Sequence, residues 1–164
     1  MLQCFSCQAT YPEKEPRWQC DCGGYLNPPQ ASISLPAASS GPGLWRYRDA
    51  LPLAPEINPV TLGEGWTPLI LAGPLQNLFF KCDHLMPSGS YKDRGSTLMV
   101  SKLPEWKLEH VLEDSSGNAG ASVAAYCGQA DIACDIFVPD TAPTAKLQQI
   151  KAAGANLIRI RGDR

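Results

Sequence analysis

The sequence predicts an α/β fold, a parallel sheet with flanking helices that is preceded by a small cysteine-rich module. Paired cysteines crowd the N-terminus, and after residue 61 short runs typical of strands alternate with longer segments typical of helices. Repeated strand–helix–strand units of this length are typical of parallel strand pairing. We therefore assign residues 1–28 to the module, 29–60 to a connector and 61–164 to the α/β part.

The composition is that of a globular protein. The 164 residues are 44% hydrophobic and 18% charged, with a formal net charge of -2. Because the net charge is close to zero, the sequence shows no excess of positive charge that would favour binding to nucleic acid or to an anionic membrane. No apolar run is long enough to span a bilayer. Residues 1–7 lack the charged and apolar regions of a signal peptide, so we expect a cytoplasmic location.

The first four cysteines form two close pairs, Cys4 with Cys7 and Cys20 with Cys22. Two such pairs are how a chain presents a tetrahedral thiolate cage to zinc, although a zinc ribbon usually has two residues between the members of each pair. We predict a zinc-ribbon-like module with a structural zinc; the alternative is a loop-rich cap with reduced thiols and no metal. The remaining cysteines are predicted to be small buried side chains: Cys82, Cys127 and Cys134.

The connector at 29–60 is rich in Pro, Ala, Ser and Gly, which predicts few regular elements. Trp45 and Tyr47 interrupt this composition. We expect the two aromatic side chains to pin the connector to the α/β part; the alternative is that they mark a partner surface.

Within the α/β part, recognisable signals bound the helices. Pro104 ends the first helix, Thr141 is placed to cap the third, and Gly154 stands where a C-terminal cap is expected. The first helix offers apolar contacts from Leu98, Met99, Val100 and Leu103. The predicted strands are 77–82, 110–113, 134–139 and 156–160, and the predicted helices are 90–103, 118–129 and 143–153.

The last predicted strand is followed at once by residues 161–164, with no helix to cover it. A parallel sheet that stops there leaves apolar surface and an unpaired edge. We therefore expect that the fold is incomplete in this chain and needs either a C-terminal half or a partner copy in a homo-oligomer.

Lys92 lies in a loop between a predicted strand and a predicted helix, after the polar turn Ser88-Gly89-Ser90. A lone lysine in a loop is usually a solvated surface charge. Near a helix N-terminus, however, the helix dipole disfavours the charged amine. A neutral amine is what Schiff-base formation with an aldehyde requires, so both interpretations stay open.

A second loop, Ser115-Ser116-Gly117-Asn118, follows a predicted strand and opens a helix. Free backbone N–H groups and the two hydroxyls can hold a carboxylate or phosphate there, and Asn118 can donate to an oxygen anion. The loop matches neither a dinucleotide fingerprint nor a P-loop. The alternative is an ordinary helix start with small residues for close packing.

Together these segments resemble threonine synthase, one of the fold-type II pyridoxal-phosphate enzymes. The matching pieces stand in the family's order and cover nearly the whole chain. Tyr91 stands where phenylalanine is common, which keeps the aromatic ring. The pieces are Cys20-Asp-Cys-Gly-Gly24, Leu62-Gly-Glu-Gly-Trp-Thr-Pro-Leu69, Gly89-Ser-Tyr-Lys-Asp-Arg-Gly95, Ser115-Ser-Gly-Asn-Ala-Gly-Ala-Ser122, and Val138-Pro139 with Lys146 and Gly154.

The resemblance implies roles for the matching residues. Lys92 would form the Schiff base with pyridoxal phosphate and move the substrate protons, and Asn118 would hydrogen-bond the cofactor's phenolic oxygen. Arg94 is a candidate contact for the substrate phosphate, with a structural ion pair as the alternative. The substrate carboxylate would be bound by Ser115, Ser116 and Gly117.

The implied reaction converts O-phosphohomoserine, a phosphorylated amino acid, and water to threonine and phosphate, with the cofactor ring as electron sink. In the family, the loop that holds the cofactor phosphate and the residue that faces the pyridine nitrogen lie downstream of the matching region. We therefore expect the isolated chain to be inactive or weakly active.

Two other functions remain open. One is a related pyridoxal-phosphate reaction, such as that of a threonine or serine dehydratase or of a cysteine or cysteate synthase; the cysteine module and residues 63–68 argue against it. The other is a zinc-binding interaction module on a catalytically inactive half-domain, which predicts metal binding without a Schiff base.

Overall fold

The fold is described from a computed structural model, which covers residues 1–28, 42–74 and 77–162 except for the side chains of residues 145 and 146. The first part of the predicted connector and the side chain of Lys146 lie outside the described residues. In the described part of the chain, no helix has both the length and the apolar character needed to cross a membrane.

The cysteine-rich module contains a small antiparallel sheet with strand order β2-β1-β3. Each pair of cysteines lies in a tight turn: the Cys4 N–H donates to the Ala9 carbonyl at 2.8 Å, and the Cys20 N–H donates to the Gly24 carbonyl at 2.9 Å. The Trp106 indole donates to the Glu13 carbonyl at 3.2 Å and so attaches the module to the rest of the chain. The strands are β1 (Leu2–Cys4), β2 (Thr10–Tyr11) and β3 (Leu26–Asn27).

The described part of the connector contains a 3-10 helix, Leu44–Ala50. The Trp45 indole N–H lies 2.7 Å from Glu64 Oε1 and 3.1 Å from Thr97 Oγ1. Trp45 therefore pins the connector to the α/β part, as the sequence predicted. Tyr47 is 36% exposed, and its ring lies 5.7 Å from the guanidinium of the neighbouring Arg46, which belongs to the connector itself, so this contact does not confirm the pinning predicted for Tyr47.

A hairpin precedes the parallel sheet. Strand β4 (Leu69–Leu71) pairs antiparallel with β5 (Phe79–Lys81) in a separate two-stranded sheet. The strand predicted at 77–82 is therefore present, but it does not join the parallel sheet. Only seven residues connect β4 to β5 (72–78), which suits a hairpin and is too short for the crossover that parallel pairing requires.

The parallel sheet is confirmed, with strand order β6-β7-β8. Because the spatial order follows the chain order, right-handed crossovers place both connecting helices on the same face. Cys134, Ile136 and Val138 alternate along β7 and are buried against these helices, whereas Leu112 on β6 is 64% exposed. The elements are α1 (Asp93–Lys102), β6 (His110–Asp114), α2 (Asn118–Gln129), β7 (Ala133–Pro139), α3 (Thr144–Ala152) and β8 (Asn156–Ile160).

Three features of the helix ends differ from the prediction. The first is that α1 begins at Asp93 and not at residue 90. The α-helix does end before Pro104, but a 3-10 turn continues from Leu103 to Trp106, because a proline in the first turn has no hydrogen bond to lose. Thr141 does not cap α3: Pro143 stands at the N-cap and no side chain bonds there. Gly154, at φ +86°, closes α3 with its N–H 3.0 Å from the Lys151 carbonyl, as predicted.

Helix α1 buries a face that is mostly polar. Of the four residues predicted to offer apolar contacts, Val100 and Leu103 are buried, Leu98 is half-buried and Met99 is 38% exposed. Small hydroxyl side chains allow α1 to approach α2 closely and to hydrogen-bond across the contact. The buried residues of α1 are Asp93, Ser96, Thr97, Val100 and Ser101.

The carboxylate of Glu64 is the centre of this polar packing, since Glu64 is only 1% exposed. Oε2 accepts a hydrogen bond from the Tyr126 hydroxyl at 2.8 Å and from the Leu62 N–H at 3.0 Å. Burial by itself raises the pKa of this carboxyl, but the hydrogen bonds outweigh burial and hold the pKa below its ordinary value. The residues around the carboxylate are Trp45, Thr61, Leu62, Thr97 and Tyr126.

We expect Glu64→Gln to lower the free energy of unfolding by about 3 kcal/mol, because an amide cannot accept all the hydrogen bonds that converge on the carboxylate. Urea unfolding followed by circular dichroism measures this loss. The exposed Glu56→Gln is the matched control and should be close to neutral.

The loss in Glu64→Gln should also depend on pH. Because the folded-state pKa of Glu64 lies below its ordinary value of 4.5, its stabilisation is present above that pH and is lost as the pH falls through the folded-state pKa. The difference between the two proteins should therefore shrink in acid. A difference that stays constant between neutral pH and the acid transition would contradict this assignment.

Candidate active site

The Lys92 loop and the Asn118 loop meet at one open cavity of about 440 Å³. They meet because α1 and α2 pack side by side and each loop opens one of these helices. Ser116 and Arg94 are not among the residues that line the cavity. The lining residues are Lys92, Ser115, Gly117, Asn118, Ala119, Ala121 and Gln149.

Lys92 is the residue from which α1 begins. Its carbonyl accepts the N–H groups of Gly95 and Ser96, both at 3.0 Å, and its own N–H lies 3.1 Å from Ser90 Oγ. The Lys92 Nζ lies 5.0 Å from the centre of the Tyr91 ring. The backbone of Lys92 is thus fixed on both sides, and its side chain is half-buried at the cavity.

Helix α2 presents its N-terminus to the same cavity. Gly117 stands at the N-cap and no side chain bonds there, so the first N–H groups of the helix lack intrahelical partners and can bind an anion. The Gly117 N–H lies 3.3 Å from Ser115 Oγ, which keeps the loop curled over the helix start. This arrangement suits a carboxylate or a phenolic oxygen close to the Lys92 amine.

Arg94 lies outside the cavity in an ion pair. Its Nη2 lies 2.9 Å from Asp83 Oδ1 and 3.4 Å from Thr67 Oγ1. The hydrogen bond from Arg94 holds the pKa of the Asp83 carboxyl below its ordinary value. The geometry is that of an ion pair between α1 and the chain that follows β5, and the assignment of Arg94 to a substrate phosphate remains a prediction.

Among the residues that the structure describes, Gln149 is the one lining the cavity that lies outside the two motifs recognised in the sequence. It lies on α3, and its Nε2 donates to the Ser88 carbonyl at 2.9 Å, so it bonds the turn before Lys92. A glutamine on a helix gives no sequence signal for such a position. Only the packing of α3 beside α2 brings it there.

The four cysteines of the module converge on one point. Their Sγ atoms all lie within 4.8 Å of one another, with Cys4 and Cys22 at 3.6 Å and Cys7 and Cys20 at 3.5 Å. Thiolates in a tetrahedron around zinc, with bonds near 2.3 Å, lie about 3.8 Å apart, so the donor set fits that ion.

The pKa values of Cys20 and Cys22 differ. The Gly24 N–H lowers the pKa of Cys22, but the hydrogen bonds of Cys22 to the neighbouring thiols raise that pKa to about 12. The Tyr11 hydroxyl lies 3.0 Å from the Cys20 Sγ and lowers the pKa of this thiol to about 6. The thiolate is the form that binds a metal ion.

Comparison with known proteins identifies the family. The family model described as "Pyridoxal-phosphate dependent enzyme" matches residues 60–164. The chain belongs to the pyridoxal-phosphate dependent enzymes. The matched region contains the whole Lys92–Asn118 cavity, and the fold is that of fold type II, as the motifs predicted.

Individual relatives agree with the resemblance to threonine synthase. The chain is 34% identical to the threonine synthase of Methanocaldococcus jannaschii, over 99% of this chain and 44% of that protein. It is 41% identical to the threonine synthase of Mycobacterium tuberculosis, over 71% of this chain and 34% of that protein. This pyridoxal-phosphate dependent chain therefore spans less than half the length of these relatives.

A solved structure shares the fold. The processed form of threonine deaminase isoform 2 from Solanum lycopersicum superposes with a TM-score of 0.55 at 27% identity, over 59% of this chain and 28% of that chain. The parallel sheet and its helices thus have the arrangement of a pyridoxal-phosphate enzyme.

A methyl group should have different effects at two glycines near the start of α2. A Cβ on Gly120 would lie 2.1 Å from the Ser115 carbonyl oxygen, whereas a Cβ on Gly117 would meet nothing within 4 Å. We expect Gly120→Ala to lower the free energy of unfolding by about 2 kcal/mol through overpacking, and Gly117→Ala to change it little. Thermal unfolding measures both. Equal stability of the two variants would contradict the close approach at Gly120.

Proposed function

We propose that this chain provides the lysine-bearing part of the active site of a threonine synthase-type enzyme, which converts O-phosphohomoserine and water to threonine and phosphate. One observation carries the proposal: Lys92, Asn118, Ser115 and Gly117 line the same cavity within the region matched by the pyridoxal-phosphate family. The identity to threonine synthases over nearly the whole chain supports this reaction within the family.

The residues of the cavity fit pyridoxal phosphate. Pyridoxal phosphate, held first by the lysine amine and then joined to the substrate's amino group, would supply an electron sink that makes the protons on the substrate carbons removable and leaves the lysine amine free. Lys92 supplies the primary amine and takes and returns these protons. The Asn118 amide would donate to the phenolic oxygen, and Ser115 and the N–H groups at the start of α2 would bind the substrate carboxylate. The substrate contact predicted for Ser116 has no support from this geometry, because Ser116 does not line the cavity.

The cofactor site is tested by borohydride reduction of the chain mixed with pyridoxal phosphate, followed by peptide mass mapping. We expect the adduct on Lys92, its loss in Lys92→Ala, and its retention in the control Lys151→Ala, since Lys151 is an exposed lysine on α3. Labelling scattered over the surface lysines, with no preference for Lys92, would contradict the proposal.

The reaction is tested separately from the cofactor site. Release of phosphate from O-phosphohomoserine supports the threonine synthase reaction, whereas release of ammonia from threonine or serine would favour a dehydratase. A Lys92 adduct without either activity would support the cofactor site but not catalysis by this chain alone. The chain spans less than half the length of its threonine synthase relatives, so the same assays would then be made on a longer protein.

We also propose that Cys4, Cys7, Cys20 and Cys22 hold a structural zinc. The convergence of the four Sγ atoms within 4.8 Å of one another supports it. Four thiolates fill a tetrahedral ion, so this zinc would stabilise the module and take no part in catalysis.

The zinc proposal predicts that the purified chain binds a single zinc ion and that Cys20→Ser loses it. Cys82→Ser is the matched control, because Cys82 is equally buried but lies outside the cluster. Elemental analysis and titration with a colorimetric chelator measure the metal content. A chain that binds no zinc, or a Cys20→Ser variant that binds it as tightly, would contradict the site.

A further inference from the structure

We propose that Asp93 is a positioning residue, which holds Lys92 opposite Asn118 by bonding the turn before Lys92 to helix α2. The inference rests on the proposed function of Lys92. It concerns a residue that directly follows Lys92 in the chain and whose side chain lines no part of the cavity.

The Asp93 carboxylate is fully buried and held by hydrogen bonds. Its Oδ2 accepts the Ser88 N–H at 2.7 Å, and its Oδ1 accepts the Ser88 hydroxyl and lies 2.6 Å from Ser122 Oγ. Among the described residues, the ion pairs do not include Asp93. The negative charge is thus stabilised by these donors and by the N-terminus of α1, at which it lies.

The bonds to Ser88 close a short ring of chain around Lys92. The closed segment runs from Ser88 to Asp93, and Lys92 is one of its residues. The Ser88 carbonyl is bound from the other side by Gln149 at 2.9 Å, so the N–H, hydroxyl and carbonyl of Ser88 all have partners. The turn cannot shift without breaking one of these bonds.

The bond to Ser122 fixes the ring relative to α2. Asn118 and Ser122 are four residues apart on this helix and therefore lie on the same face. Asp93 contacts Ser122, and the adjacent residue, Lys92, shares the cavity with Asn118. Ser96 Oγ lies 2.8 Å from Ser122 Oγ, so Ser96 can donate to Ser122 while Ser122 donates to the carboxylate.

The test compares lysines within one molecule. Asp93→Asn keeps the shape of the side chain but has only one acceptor oxygen for three donors. We expect the rate of Lys92 labelling by pyridoxal phosphate and borohydride, divided by that of Lys151, to fall about tenfold, because a small displacement of a reacting group has a large effect on rate. General loosening of the fold would also lower this ratio, so the ratio is measured under conditions where circular dichroism and urea unfolding show that Asp93→Asn is fully folded.

A second readout does not need the cofactor. Trace acetylation by acetic anhydride reports the surroundings of each amine, and we expect the Lys92 to Lys151 ratio to change by about threefold or more in Asp93→Asn. If the wild-type chain shows no preferred labelling of Lys92 by pyridoxal phosphate but this acetylation ratio changes, the proposed function fails and the positioning role stands. Unchanged ratios in both readouts would overturn the positioning role.

Two further variants separate positioning from stability. Glu105→Gln is the matched control, because Glu105 is a half-buried carboxylate just beyond the C-terminus of α1 that accepts the Ala54 N–H at 2.9 Å. It should leave both ratios unchanged. If Asp93→Asn does not fold, Ser122→Ala replaces it: this variant keeps the Ser88 bonds and loses the link to α2. It should change the acetylation ratio by about threefold or more, and an unchanged ratio would overturn the proposal.

Discussion

The buried carboxylate of Glu64 determines how the connector, the loop before β4, α1 and α2 pack against one another. It lies where the 3-10 helix of the connector, the loop before β4, α1 and α2 meet, and each of these segments contributes a polar partner. A buried charge is costly unless its hydrogen bonds are made. The donors are satisfied together in one arrangement, so α1 and α2 have one relative placement.

That placement produces the cavity. Lys92 precedes α1 and Asn118 begins α2, so fixing the two helices side by side fixes the two residues at the same opening. Asp93 on α1 and Ser122 on α2 form a second hydrogen bond between the helices, one turn closer to their N-termini. Hydrogen bonds depend on direction as well as distance. A polar contact between α1 and α2 therefore restricts the position of Lys92 more than apolar packing would.

The sequence predicted the parallel sheet and its helices well, because alternating apolar runs and Gly154 are local signals. Prediction from the sequence was less successful for the burial of individual side chains, because tertiary packing determines it. Met99 belongs to an apolar cluster in the sequence yet is exposed, and Glu64 and Asp93, buried at 1% and 0% exposure, carry charges that usually indicate solvent. The Lys92 and Asn118 motifs were recognised by resemblance, whereas Gln149 had no local signal and required the structure.

The Glu64 carboxylate links α1 to α2, one helical turn away from the link that Asp93 makes with Ser122. Native-state hydrogen exchange in Glu64→Gln, compared with the wild-type chain, tests the Glu64 link most directly, because it resolves the free energy of opening amide by amide. We expect the amides of α1 and α2 to lose protection together and to a similar extent. Loss of protection confined to residues 60–67, with both helices as protected as before, would contradict it.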